Sequence, residues 1–122
     1  MQDSIDRAVR MVREKATPPM KGIRILKRLA GEHPENAKIQ WHLGRFSVRS
    51  GQYEKAARRF EKVLEIAPQT YQDAYLYLGK TYATLGDTSK AIQRLQKFRS
   101  SVEKDSLRKQ VDGLLRSLQS EK

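Results

Sequence analysis

No cysteine occurs in the 122 residues, which excludes disulfides and thiolate metal sites without fixing the compartment. Histidine is nearly as scarce. His33 lies beside Pro34 in an expected loop, and His42 falls among apolar positions nine residues later. Two imidazoles so placed form no recognisable metal pair, and a lone histidine is ordinarily structural. Glycine-rich phosphate loops, a Ser-His-Asp ordering and convergent carboxylates are all missing, so neither an enzyme nor a cofactor is expected. No apolar run reaches membrane-spanning length and no signal-peptide core is present, so this chain is not expected to insert in a membrane. Cytoplasmic is the default location, with an anchor upstream of residue 1 left open. Acidic residues are the other shortage: 14 against 25 lysines and arginines, a formal net charge of +11. The excess is +3, +4, +2 and +2 over residues 3–36, 37–71, 72–105 and 106–122, so it belongs to a folded surface and not to a tail. That sign favours an acidic partner; the competing explanation is a merely solvated surface.

What the chain does have is self-similarity. Laying Leu43-Gly44 over Leu78-Gly79, an offset of 35, also puts Gly51 on Gly86, Ala56 on Ala91 and Phe60 on Leu95. An offset of 34 the other way puts Pro68 on Pro34, Phe60 on Leu26 and Ala57 on Ile23. Three units follow, about 3–36, 37–71 and 72–105, each read as two helices facing each other across a turn. Such a hairpin cannot bury its own apolar face, so the units must stack in one domain. Gly44, Gly79, Ala56 and Ala91 are small where helices approach closely. Gly51 and Gly86 suit a helix end that needs positive φ, and Pro34 and Pro68 stop the second helices.

At Leu43-Gly44, Gly51-Gln52-Tyr53, Ala56, Phe60 and Pro68, and again at Tyr75, Leu78-Gly79, Tyr82, Gly86-Asp87, Ala91 and Leu95, the chain resembles the tetratricopeptide repeat family. The resemblance covers about 70 residues well and the first 36 poorly. Gln40 stands where the family often has Trp, with Trp41 one place later; Ser47 replaces a usual Tyr, and Glu103 the closing Pro. Asp6, Arg10 and Arg13 occupy places that are normally apolar or small. The resemblance implies an all-α solenoid of antiparallel hairpins, a right-handed superhelix of about seven helices, and a protein-binding scaffold. Some family members clamp a terminal carboxylate; here the matching places hold Arg7, Met11, His42, Asp73 and Tyr77, and Asp73 would repel that ligand.

Helix boundaries follow from periodicity and breakers. Asp3 is expected to cap a helix reaching about Lys15, with Ile5, Ala8, Val9 and Val12 on one stripe. Thr17-Pro18-Pro19 breaks it and Pro19 opens the next, which buries Gly22, Ile23, Leu26, Leu29 and Ala30. Asn36 caps a helix over 37–49 that buries Gln40, Leu43, Gly44 and the edge of Ser47. The next, 53–66, buries Tyr53, Ala56, Ala57, Phe60, Val63 and Leu64. Thr70-x-x-Asp73 reads as a capping box for a helix through Thr84. A helix over 88–102 buries Ala91, Ile92, Leu95 and Phe98. The last, 106–120, carries Leu107, Val111, Leu114, Leu115 and Leu118 on one stripe; it is read as a cap on the open end of the core, the alternative being a docking helix for another subunit.

The first helix of each pair should line a concave groove. The repeat offsets define columns along it: Arg7, Trp41 and Leu76; Met11, Arg45 and Lys80; Lys15, Arg49 and Thr84; and Lys38 with Ser4 and Asp73. Steps of four along a helix put these residues on one face. Cations beside a Trp and two aliphatic side chains suit an extended protein segment with acidic and apolar side chains. Trp41 is read as groove-exposed, with core burial as the alternative. The other function class is nucleic-acid or anionic-surface binding by the outer ridges Lys21, Arg24, Lys27 and Arg28; Lys55, Arg58, Arg59 and Lys62; and Lys90, Arg94 and Lys97. Those ridges lack aromatic stacking platforms and are interrupted by Glu54, Glu61 and Glu65, which counts against nucleic acid. The sequence leaves the oligomeric state open.

Overall fold

Gly51 (φ 75°) and Gly86 (φ 83°) mark two reversals of the chain. Only a residue without Cβ takes that conformation without strain, and each lets the following helix run back along the one before. The structure, a computed structural model, describes residues 2–14 and 19–120; the side chains of residues 3, 10–14 and 19–21 lie outside the description. The described residues form seven helices and no strand: α1 Gln2–Glu14, α2 Pro19–Glu32, α3 Ala37–Arg49, α4 Tyr53–Ile66, α5 Asp73–Thr84, α6 Thr88–Ser101 and α7 Asp105–Ser120. Helix α1 packs on α2, α3 on α4, α5 on both α4 and α6, and α7 on α6; α2 meets α3 more lightly.

The helix ends show how local chemistry sets the boundaries. The Asn36 side chain accepts from the Ile39 N–H at 3.1 Å, and Asp87 accepts from the Lys90 N–H at 3.2 Å, each satisfying a first-turn donor that has no partner within the helix. Pro19 opens α2, and Pro34 and Pro68 follow the ends of α2 and α4. Two expected caps are not formed. Helix α1 starts at Gln2, so Asp3 lies inside its first turn, and Lys15 lies outside the described residues. Thr70 does not cap α5: Gln72 precedes the helix with helical dihedrals and no side-chain bond. A backbone turn replaces the capping box, with the Ala74 and Tyr75 N–H groups donating to Tyr71 and Gln72 carbonyls at 3.0 and 3.1 Å. Val102 turns extended and ends α6 one residue before the expected position.

The two glycines at the hairpin centres face large side chains first, and at Gly79 the Ala91 carbonyl also lies 3.4 Å from where a Cβ would be. A Cβ on Gly44 would sit 2.8 Å from the Phe60 ring, and one on Gly79 would sit 2.5 Å from Leu95. Each second helix therefore pushes a large fully buried side chain against a bare stretch of its partner. The core is divided. One cluster joins α4 to α7 through Phe60, Leu78, Leu95, Phe98 and Val111. The other joins α1 to α3 through Ile5, Leu26, Ile39, Leu43 and Phe46. Ile39 and Phe46 were not expected inside; they widen the buried face of α3 toward α1 and α2. Gln40, buried on the same helix, is satisfied: its Nε2 donates to the Pro34 carbonyl at 3.3 Å and its Oε1 accepts from Arg59 at 2.9 Å.

These contacts order the glycines. Gly79→Ala should destabilise the fold by about 1–3 kcal/mol through overpacking against Leu95. Gly86→Ala should cost about 1–2 kcal/mol through its left-handed backbone. Gly113, in α7 with open space around it, should gain up to about 1 kcal/mol as alanine. Urea denaturation of the three variants measures the series.

Candidate functional site

The site expected from the sequence lies along α1, α3 and α5, and two cross-helix pairs show which side chains share a face there. Lys38 on α3 bridges Asp6 on α1 at 3.1 Å. Arg45 on α3 stands over the Tyr77 ring of α5, 6.0 Å from its centroid. Cations over aromatic faces are attracted by the ring quadrupole, here by about 0.5–1 kcal/mol for a partly exposed pair. Arg7, Arg49, Lys80 and Thr84 are exposed, and the Thr84 hydroxyl donates back to the Lys80 carbonyl at 3.0 Å. Leu76 is half-buried against the core. Met11 is on α1, but its side chain and the whole of Lys15 lie outside the described residues.

Trp41 falls between its two readings, groove-exposed and core. It is half-buried, with its ring 5.5 Å from Phe60, 5.5 Å from Tyr71 and 5.2 Å from Tyr77, edge-on to the last. Phe60 in turn stacks on Tyr77 at 5.4 Å. Four rings from α3, α4, α5 and the loop before α5 thus form one nest. Trp41 is part of the packing and partly exposed, and its neighbour Tyr77 also carries Arg45. Tyr71 and Tyr77 were missed as partners of Trp41; the signal available was their aromatic type at the start of α5. His42 lies over Phe46 at 6.4 Å with nearly parallel rings, a packing role.

On the opposite side, the ridge residues Arg24, Lys27, Arg28, Lys55, Arg58, Lys62, Lys90 and Lys97 are exposed, and Lys21 lies outside the description. Several ridge cations are spoken for. Arg94 meets Glu61 at 2.7 Å, Lys62 meets Glu65 at 3.6 Å and Lys90 meets Asp87 at 3.9 Å. Arg59 differs from these: half-buried, it faces Gln40, and burial first, then the like charge of Arg58, pull its guanidinium below the ordinary value. No helix among the described residues is long and apolar enough to cross a membrane.

The model of a family described as regulator of microtubule dynamics protein 1-3 matches residues 46–119, more than half of the chain, and a tetratricopeptide repeat model matches residues 21–69. Among solved structures, the chain is similar to the Yersinia enterocolitica type III secretion translocator chaperone SycD. The TM-score is 0.80 at 11% identity, over 99% of this chain and 87% of that one. At that identity the likeness speaks for the fold alone. No curated protein matches the chain.

The aromatic nest makes Trp41 a stability residue as well as a surface one. Trp41→Ala should cost about 2–4 kcal/mol, measured by chemical denaturation. Trp41→Phe should retain most of that stability, which makes it the usable variant for binding measurements.

Proposed function

The chain belongs to the regulator of microtubule dynamics protein 1-3 family, and from that premise we propose that it holds an acidic segment of another protein against α1, α3 and α5. The tetratricopeptide repeat model and the helical fold support reading it as a protein-interaction scaffold. The observation that carries the finer reading is Arg45 standing over Tyr77 beside Trp41, with exposed Arg49 and Lys80 on the same helices. Arginine and tryptophan are the types that dominate interface energies. Rings already fixed by packing lose little freedom when a partner arrives, and exposed cations attract carboxylates and speed encounter. Arg7 would extend this surface on α1, Lys38 on α3, and Leu76 and Thr84 on α5; the Met11 side chain and Lys15, expected there from the sequence, lie outside the described residues.

The family description names microtubule dynamics, which makes microtubules the first partner to test. Co-sedimentation with polymerised microtubules and affinity capture from cell lysate would compare the parent chain with Arg45→Glu/Arg49→Glu, with nuclease treatment in parallel. The double variant should keep its helical signal and melting temperature, because Arg49 is exposed and the Arg45–Tyr77 contact is worth only about 0.5–1 kcal/mol. It should lose at least about tenfold in partner affinity, and binding by the parent should weaken as ionic strength rises. Partners that disappear only on nuclease treatment would sink the scaffold reading.

A further inference from the structure

The junctions between successive hairpins are not equivalent. Between α4 and α6 the seam is closed by Arg94, whose guanidinium meets Glu61 at 2.7 Å and stands over the Tyr75 ring at 6.0 Å. The offset of 35 that lays Gly79 on Gly44 carries Arg94 back to Arg59 and Tyr75 back to Gln40. The offset of 34 that lays Pro68 on Pro34 carries Glu61 back to Lys27. Arg59 and Gln40 keep the within-hairpin half of the arrangement, as a 2.9 Å hydrogen bond. The other half is inverted: where the later junction has a carboxylate, the earlier one has a second cation.

Volume follows charge. Tyr82 and Leu85 line the later junction, and the offset of 35 replaces them with Ser47 and Ser50. The earlier junction is accordingly a cleft of about 640 Å³ against about 370 Å³ at the later one. Its floor is Ile23, Leu43 and Phe46, its wall includes Gln40, Ser47 and Ser50, and its rim is Lys27, Lys55, Arg58, Arg59 and Lys62. No carboxylate lines it, whereas Glu54, Glu61 and Glu65 line the later one. The fold lacks here one anion and one large apolar side chain, side by side.

We propose that this cleft between α2 and α4 is a second docking site, for an acidic protein segment. Its carboxylate takes the place of Glu61 between Arg59 and Lys27, and an adjacent aromatic or large aliphatic side chain lies on Ile23, Leu43 and Phe46. The volume falls in the usual range of ligand sites, about 300–1,000 Å³. Arg59 is held in place by Gln40, so its fork is already oriented for a carboxylate. The polar wall favours a peptide, whose backbone can use hydroxyl and amide partners, over an acyl chain, which needs continuous apolar surface. Nucleic acid would require an open stacking platform, and Phe46 is buried in the floor. The site lies on the far side of α3 from Arg45 and Tyr77 and does not rest on the groove reading.

The test uses the full chain and a labelled synthetic peptide of glutamates and aspartates around one phenylalanine, read by fluorescence anisotropy. Lys27→Glu restores the repeat's own carboxylate opposite Arg59. It should raise the melting temperature and weaken peptide binding by about tenfold or more, the scale of a lost charge-assisted contact. Ser47→Tyr, which fills the floor without changing charge, should weaken it comparably. Arg28→Glu, the same charge change one residue along α2, should leave affinity within about threefold, the ordinary scale for a screened surface charge. Replacing the peptide's phenylalanine with glycine should also weaken binding. Affinity unchanged in Lys27→Glu, or lost equally in Arg28→Glu, overturns the proposal. So does binding to phosphatidylserine-containing vesicles that depends on Lys27 while the peptide does not bind.

Discussion

The structure depends on one contact made twice: a large side chain on a second helix set against a glycine on the first. Phe60 occupies the space over Gly44 and Leu95 the space over Gly79, both fully or nearly fully buried. Packing of that closeness leaves no room for a single methyl group. It fixes the distance between the two helices of each pair, and hence the register in which α3 and α5 present their other faces. The aromatic nest around Trp41 is a direct consequence. Phe60 reaches past Gly44 and still touches Trp41 and Tyr77 on its far edge, so the residues of the proposed groove are braced by the same ring that locks the hairpin.

Much of this was legible because the repeat period ties each residue type to a structural duty. The positive φ of Gly51 and Gly86, the Asn36 cap and the proline stops are local requirements, and the sequence states local requirements directly. Ile39 and Phe46 were missed because their burial comes from α1 and α2, elements distant in sequence and poorest in repeat signal. The Thr70 cap failed for a similar reason: a backbone turn across Tyr71 and Gln72 satisfies the same donors, and Tyr71 is held by Trp41. Trp41 itself could be read either way, since a one-place shift from the family's usual position leaves it at the edge of the buried stripe. At that edge it packs most of its ring against Phe60, Tyr71 and Tyr77 and stays partly exposed.

The charged residues were less legible, because charge in a sequence says nothing about pairing. Arg94 and Arg59 occupy equivalent places and look alike on paper. One is neutralised across a seam and the other faces a lysine position and a glutamine. The excess of +11 is thus not a uniform coat. It is trimmed by ion pairs around α4 and α6, while in the α2–α4 cleft the half-buried Arg59 of α4 meets the Gln40 amide.

The division of the apolar interior at α3 carries its own consequence. Because α1, α2 and part of α3 bury one set of side chains and α4 to α7 another, α3 is the helix on which the two sets meet, through Phe60 over Gly44, the rings around Trp41 and the Gln40–Arg59 bond. Local opening starts where apolar clusters part, and amide exchange is the observable that reads it. A segment seated across the α2–α4 junction would touch Ile23 and Lys27 of the first hairpin and Lys55 and Arg59 of the second at once, and so act as a latch between the N-terminal pair and the remainder.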